Sequence, residues 1–184
     1  MTGWPAFRTR AITTAIVAMT CGGCSGMGGA RVDPDDPAQR AMLVAEGTRY
    51  AEAHERTILA AGGPLSAGEL ADARRVGVQH PERVRVLVTD VIPYPEDAEL
   101  RSVMKRYGLP PEMLRGKTLG YGIYLATPAA KSWRLLRHEL VHVAQYERLG
   151  GVGPFVREYF RQLFDSGYGK AALEIEARQT VAGW

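Results

Sequence analysis

The chain has 184 residues, of which 46% are hydrophobic, and this suits a single domain with a hydrophobic core. It carries 23 basic and 20 acidic residues. Two of the basic residues, Arg8 and Arg10, lie in an N-terminal segment that has no acids, and the remainder has 21 basic against 20 acidic residues. This balance excludes the basic excess that is typical of proteins that bind nucleic acid or anionic membrane surfaces.

The first 30 residues have the layout of a secretory signal. MTGWPAFRTR is basic, AITTAIVAM (11–19) is a short apolar run, and TCGGCSGMGGA supplies small residues. The apolar run is too short to span a bilayer. Cys24, which follows two glycines, resembles a bacterial lipoprotein processing site, whereas cleavage after Ala30 would release a free protein. We therefore expect an exported protein, lipid-anchored to the membrane or secreted, in which 31–184 form one domain without a disulfide.

Helical periodicity dominates the rest of the chain. DPDDP starts a long helix that GGP (62–64) ends, and SAGE (66–69) has the capping-box pattern that opens the next helix. VRVLV and GYGIYLA are β-branched or aromatic and indicate strands. The first helix is predicted to start within 33–37 and to run to about residue 61. The further predicted helices are 66–76, 96–107, 129–149, 154–165 and 170–182, and the predicted strands are 84–88 and 120–126. This order predicts a helix-rich α+β domain with a small sheet.

The segment RHELVHVAQYERLGG (137–151) carries the chemistry. On a helix, His138 and His142 point about 40° apart, with Cβ atoms about 6 Å apart, so both imidazoles can bind one ion. Glu139, one step round, can take a proton from a water molecule whose pKa zinc lowers to about 7, and can pass it to a leaving amine. Apolar neighbours leave little of this helix facing water, and buried histidines need partners. The pattern therefore predicts a Zn²⁺ site and not two solvated histidines.

A third ligand must come from another part of the chain, because Gln145 and Arg148 stand where HExxHxxGxxH has its glycine and last histidine. The predicted helix 170–182 offers Glu174 and Glu176, which point about 200° apart, so only one can face the histidines. The residues alone leave both glutamates open. Of the other histidines, we expect His54 to be exposed and His80 to lie in a turn.

HELVHVAQY (138–146) and YGKAALEIEA (168–177) resemble the gluzincin class of zinc metallopeptidases. More narrowly, they are similar to bacterial domains of unknown function related to the extracellular-contraction-system core domain. The likeness covers about residues 118–178, and Ala171-Ala172 replace the family's Asn-Pro. The resemblance implies a zincin-like fold, with 129–149 as the active-site helix and Glu174, on the helix 170–182, as the third ligand.

The resemblance also implies parts of a peptidase site. The strand before the active-site helix, TLGYGIYLA (118–126), would form the sheet edge that holds an extended peptide, and its glycines would let the substrate backbone approach. A donor to the oxyanion is also required, and Tyr168, Tyr159 and Arg157 are candidates. Tyr168 is chosen because it matches the family's tyrosine. Arg178 replaces the aspartate of the E-x-x-A-D gluzincins.

We therefore predict an exported zinc metallopeptidase that acts on a peptide or protein. Zinc would be held by His138, His142 and Glu174. Glu139 would act as general base and acid, and Tyr168 would be a catalytic residue. The alternative is a noncatalytic cell-envelope binding or scaffold domain that keeps a structural zinc; a toxin-like interaction module is a third hypothesis. Glu139 favours catalysis, because a structural zinc site needs no base and usually has four protein ligands. No nucleic acid is expected as a partner, and a membrane only through a lipid anchor.

Overall fold

The computed structural model describes residue 33 and residues 36–184. The predicted signal segment 1–30 and its candidate lipidation site Cys24 lie outside the described residues. The described residues belong to one structural unit, Val32–Trp184. None of the helices within residues 36–184 combines the length and the apolar content that crossing a membrane requires.

The described part of the chain is rich in helix and contains a small sheet. The helices are α1 (Pro37–Ala61), α2 (Ala67–Arg75), α3 (Ala98–Arg106), α4 (Trp133–Leu149), α5 (Val152–Ser166) and α6 (Ala172–Ala182). The strands are β1 (Gly63–Pro64), β2 (Arg85–Thr89), β3 (Gly116–Leu119) and β4 (Gly122–Ala126). This arrangement confirms the predicted α+β class.

Local signals set the helix boundaries. Asp36 begins α1, because its side chain accepts a hydrogen bond from the backbone N–H of Ala38. The predicted capping box forms at α2, where Ser66 and Glu69 bond each other's backbone N–H groups. The helix α4 starts later than the predicted residue 129, because residues 127–129 form a separate 3₁₀ turn and a serine caps the helix at 132.

The sheet is mixed, with the strand order β1-β2-β4-β3. The strands β2 and β4 are parallel, whereas β1 pairs with β2, and β3 with β4, in antiparallel register. All five residues of β4 are buried. Ile123 and Leu125 belong to the core cluster that contains residues of α4, and Tyr124 and Ala126 belong to the cluster that contains residues of α1 and α5. The sheet thus lies between α4 on one face and α1 on the other.

The segment 118–126 is not the single edge strand that we predicted. Gly120, with φ of +64°, and Tyr121 form a tight turn that pairs Leu119 with Gly122, so the segment holds the end of β3, a turn and all of β4. The edge strand is β3, and β4 is internal. A Cβ atom on Gly122 would lie 2.8 Å from Cδ1 of Ile58 in α1. This glycine therefore allows the close approach of a helix and not that of a substrate.

Candidate metal centre

The two histidines of α4 point at each other through the same ring nitrogen. Nε2 of His138 and Nε2 of His142 are 3.1 Å apart, and the ring planes are nearly perpendicular, at 86°. His142 is buried, with 6% of its surface exposed, and His138 is half-buried. The four-residue spacing on one helix thus brings both side chains to one point, as the sequence predicts.

Gln145 determines which nitrogen of His142 carries a proton. Its amide Nε2 donates to the backbone carbonyl of Leu173, so its Oε1 faces His142 and accepts from Nδ1 at 2.8 Å. In the neutral imidazole, Nδ1 then bears the hydrogen, and Nε2 presents a lone pair toward His138. Because Gln145 is fully buried, this orientation is protected from competition by water.

Glu174 in α6 joins the histidines. Its Oε2 lies 3.3 Å from Nε2 of His138, and its Oε1 lies 3.4 Å from Nε2 of His142. The hydroxyl of Tyr159 donates to Oε1 at 2.8 Å, whereas Oε2 is buried without a hydrogen-bond partner among the described residues. Burial alone would raise the pKa of Glu174, but the two imidazoles outweigh it and hold that pKa below its usual range.

The first turn of α6 is held in place from two sides. The carbonyl of Leu173 accepts from Gln145 of α4, and its N–H donates at 2.8 Å to Oε1 of Gln162 in α5. Glu176, two residues after Glu174, forms a bidentate pair with Arg148 at 2.8 Å for both bonds. The structure thus brings Glu174 to the histidines and directs Glu176 to a surface ion pair.

The spacing of these atoms fits a metal ion. Two ligands that are each about 2.0–2.1 Å from a tetrahedral ion are about 3.3 Å from one another. The nitrogen–nitrogen distance of 3.1 Å and the nitrogen–oxygen distances of 3.3 and 3.4 Å are close to that value. The lone pair on Nε2 of neutral His142 and the unpartnered carboxylate oxygen of Glu174 also favour a cation between them. His138, His142 and Glu174 could therefore hold a metal ion.

Glu139 is buried beside this group but is not part of it. Only 4% of its surface is exposed, and Oγ1 of Thr118 in β3 donates to its Oε2 at 2.7 Å. A Cβ atom on Gly116 would lie 2.9 Å from the carboxyl carbon, so this position of β3 leaves room for the Glu139 side chain. Burial raises the pKa of Glu139, although the nearby histidines and Thr118 oppose the effect.

A cavity of about 500 Å³ opens onto these residues. It is lined by His138, His142 and Glu174 together with Glu139 and Tyr168. The predicted metal ligands and the predicted base thus face one common space.

The three candidate donors for an oxyanion lie in different places. Tyr168 lines the cavity and is half-buried. Tyr159 also lines it, but its hydroxyl hydrogen is engaged by Glu174. Arg157 is exposed and borders a different surface cleft.

Arg178, which stands where the gluzincins that Glu174 was matched to have an aspartate, lies 3.6 Å from Oε2 of Glu174 and donates to the carbonyl of Gly169.

The expectation that His54 is exposed was wrong. His54 is half-buried, its Nδ1 lies 3.1 Å from the hydroxyl of Tyr124, and its ring contacts that of Tyr50 at 4.4 Å. The reason is that α1 packs against the sheet. The charged residues beside His54 in the sequence do not indicate this packing. His80 lies in a turn as expected, at the start of a short 3₁₀ helix.

The sequence analysis did not identify several residues that orient the side chains of this site or fix the position of α6. Gln145 was noted only as a departure from a histidine motif. Gly116 was not assigned to a strand, and Thr118, the first residue of the predicted edge 118–126, was given no role beside Glu139. One signal was present, because a glycine-containing pair between Leu119 and Gly122 is typical of a hairpin turn and predicts a strand before it. No local signal indicates that Gln162 would hold the backbone of another helix.

Comparisons of the chain with protein-family models, with curated proteins and with solved structures found no match.

Proposed function

We propose that the protein is an exported, zinc-dependent metallopeptidase that hydrolyses peptide bonds. The observation that carries the proposal is the common cavity, which three potential metal ligands and the separate, buried carboxylate of Glu139 share. Catalytic zinc sites commonly have three protein ligands and an open position, whereas structural zinc sites usually have four. A group of three ligands that borders a cavity has the first arrangement.

The donor set supports zinc as the ion. Two imidazole nitrogens and one carboxylate match a known class of catalytic zinc sites. The gluzincin-like residues HELVH and LEIEA, from which we chose Glu174, agree with that assignment. A zinc ion bound here would supply Lewis acidity, which acts on water and on a substrate carbonyl.

Glu139 is proposed as the general base and then the general acid. Its carboxylate lines the cavity and lies outside the group of ligands, so it is free to exchange a proton with water. Burial raises the pKa of Glu139 from its usual acidic value toward neutral pH, and a general base is most effective when its pKa is near the working pH. Thr118 orients the carboxylate, and the proton that it takes from water passes to the amine of the leaving peptide.

Tyr168 is proposed as the donor to the oxyanion of the tetrahedral intermediate. It lines the same cavity as Glu139 and Glu174. Burial, together with the charges of these two carboxylates, raises the pKa of its hydroxyl, which therefore keeps the proton that a donor needs. The strand β3 is proposed as the edge that an extended peptide joins, because it is the outer strand and two of its residues contact Glu139.

A single comparison of variants tests this proposal. The purified full chain should contain one zinc per chain and cleave members of a broad peptide library. Glu139→Gln should keep the zinc and lose cleavage by roughly 10²–10⁴-fold. Glu174→Gln should lose both, and the matched change Glu176→Gln should lose neither, because Glu176 pairs with Arg148.

Metal analysis and cleavage together separate the two functions considered. Zinc in the parent and in Glu139→Gln, with no cleavage by either, would contradict the peptidase and support the noncatalytic scaffold. Absence of zinc from the parent would contradict both.

Export is proposed from the pattern of residues 1–30. Fractionation of cells that express the full chain should place it outside the cytoplasm. Cys24→Ala should release it from the membrane fraction if Cys24 is lipidated, and should leave its distribution unchanged if the chain is secreted.

A further inference from the structure

The cavity extends from the metal centre into an apolar region. Its wall away from the histidines consists of side chains from α1, α3, α5, β3 and the loop after α3. Among them are Leu100, Met104, Leu109, Leu119, Val156 and Phe160. The space is therefore suited to an apolar group, for which burial against such side chains is favourable.

Lys117 is a charged residue in this setting. It is half-buried and lines the cavity. Its Nζ lies 3.0 Å from the hydroxyl of Tyr50 and 4.3 Å from the centre of that ring, with the ring of Tyr94 at 5.9 Å. The Tyr50 hydroxyl donates to the carbonyl of Pro93 at 2.6 Å, so it can only accept from the lysine.

No carboxylate oxygen contacts this lysine among the described residues. An ammonium group has three donors, and the described hydrogen bonds of Lys117 use one of them. Within the described residues no aspartate or glutamate oxygen comes within 4.0 Å of its Nζ. Burial of an ammonium group without a contacting carboxylate is unfavourable and lowers the pKa of Lys117 to about 7, although the charge of Glu139 opposes the effect.

The remaining charges around the cavity have the same sign. Apart from the histidines, Glu139 and Glu174, the charged side chains that line it are Arg115, Lys117 and Arg134. In the described part of the chain neither arginine forms an ion pair; Arg134 lies over the ring of Trp133. With a divalent ion balancing the two glutamates, the two arginines and the protonated form of Lys117 leave the cavity with a net positive charge.

The position of Lys117 in β3 relates it to the proposed base. Gly116 and Thr118 contact Glu139 on one face of the edge strand, and Lys117 lies between them on the other face, opposite Tyr124. Because successive side chains of a strand point to opposite faces, one cavity that reaches around the edge meets both groups. A substrate bound along β3 would pass from one to the other.

We propose that Lys117 binds a carboxylate of the molecule that occupies this cavity, so that the site selects substrates in which an acidic group adjoins an apolar segment. The choice of substrate class rests on the proposed peptidase function, whereas the carboxylate site itself does not. The carboxylate can come from an aspartate or glutamate side chain or from the C-terminus of a peptide.

Binding of a matched pair of probes tests the carboxylate site without catalysis. Isothermal titration of the full chain with 4-phenylbutyrate and with 4-phenylbutyramide should show the carboxylate bound roughly 10- to 100-fold more tightly, the effect of one charged hydrogen bond. Lys117→Met should lose that preference, and the matched surface change Lys131→Met should retain it. Any preference that a bound metal produces survives in Lys117→Met, so the part that disappears belongs to Lys117.

Two results overturn the inference: no binding of the carboxylate by the parent, or an undiminished preference in Lys117→Met. If Lys117→Met does not fold, Lys117→Gln replaces it, with the same outcomes. Titration of the chain after metal removal repeats the comparison independently of zinc.

Peptide substrates separate the two sources of the carboxylate and the two proposals. If a glutamate side chain is bound, the parent should prefer Glu peptides over Gln peptides; if a C-terminus is bound, it should prefer free acids over amides. Lys117→Met should lose whichever preference is found. Zinc-dependent cleavage without either preference would refute the role of Lys117 in substrate choice and leave the peptidase standing. A carboxylate preference in binding without any cleavage would support the carboxylate site at Lys117 and contradict the peptidase.

Discussion

The position of the Glu139 side chain is set by two residues of β3 that are not themselves proposed as catalytic residues or metal ligands. Thr118 donates to its carboxylate at 2.7 Å, and Gly116 leaves the space into which that carboxylate extends. A hydrogen bond to the charged form of a carboxyl group favours that form, so Thr118 opposes the rise in the pKa of Glu139 that burial causes. Under the proposed function Thr118 would position Glu139, and its effect should appear in the pH dependence of peptide cleavage.

Thr118→Val keeps the shape of the side chain and removes the donor. We expect the zinc content to stay the same and kcat/KM to fall by about 10-fold, since one oriented hydrogen bond is lost. The acidic limb of the pH profile should move to higher pH, because the pKa of Glu139 rises without its donor. Thr57→Val, at an exposed position of α1, is the control. An unchanged pH profile with normal zinc would exclude the positioning role.

At the scale of the elements, the geometry of the candidate metal centre depends on the hydrogen bonds that join α4, α5 and α6. Gln145 of α4 contacts His142 and the backbone of Leu173 at once, and Gln162 of α5 contacts the same residue of α6. One buried amide thus orients a ligand on its own helix and holds the first turn of the helix that carries Glu174.

Replacing Gln145 by leucine tests that coupling. The change removes the acceptor for Nδ1 of His142 and leaves the carbonyl of Leu173 without its donor. We expect zinc affinity to fall about 10–100-fold and the free energy of unfolding to fall by about 1–3 kcal/mol. Competition with a chromophoric chelator and chemical denaturation measure the two effects. Gln179→Leu, an exposed position on α6, should alter neither. Unchanged zinc affinity in Gln145→Leu would show that His142 needs no such partner.

At the scale of the whole molecule, a bound ion would connect two helices that are far apart in sequence. Its ligands would come from α4 and from α6, near the C-terminus of the chain. Without the ion, the buried Oε2 of Glu174 has no hydrogen-bond partner in the described chain. The ion should therefore stabilise the folded state as a whole, because it binds that state and not the unfolded chain.

Thermal unfolding measures this stabilisation. With free zinc at 100 times its dissociation constant, the folded state should gain about 2.7 kcal/mol, which corresponds to a rise in Tm of roughly 5–10 °C. EDTA should reverse the rise. Glu174→Gln should show a much smaller response to zinc, and Glu176→Gln should respond like the parent. Equal melting temperatures with zinc and with EDTA in the parent would contradict a site that links the helices.

The fold class and most elements were predicted from local patterns. The long first helix ends at the expected residue, and the capping box of α2 forms as predicted. The two strands with β-branched or aromatic residues, β2 and β4, were found, whereas β1 has only two residues and β3, GKTL, has a weak strand signal. The edge of the sheet was consequently misplaced, because strand order depends on pairing between distant segments.

Sequence by itself determined that His138, Glu139 and His142 lie together, because four residues on a helix make little more than one turn and the backbone geometry brings these side chains to one side. It also indicated the helix ends, where a side chain bonds to its own neighbouring backbone. Only the tertiary structure decided that Glu174 and not Glu176 faces the histidines, that β3 is the edge, and that Lys117 borders the same cavity. These relations join residues that are far apart in the chain, and they arise from how helices and strands pack, which no single segment encodes.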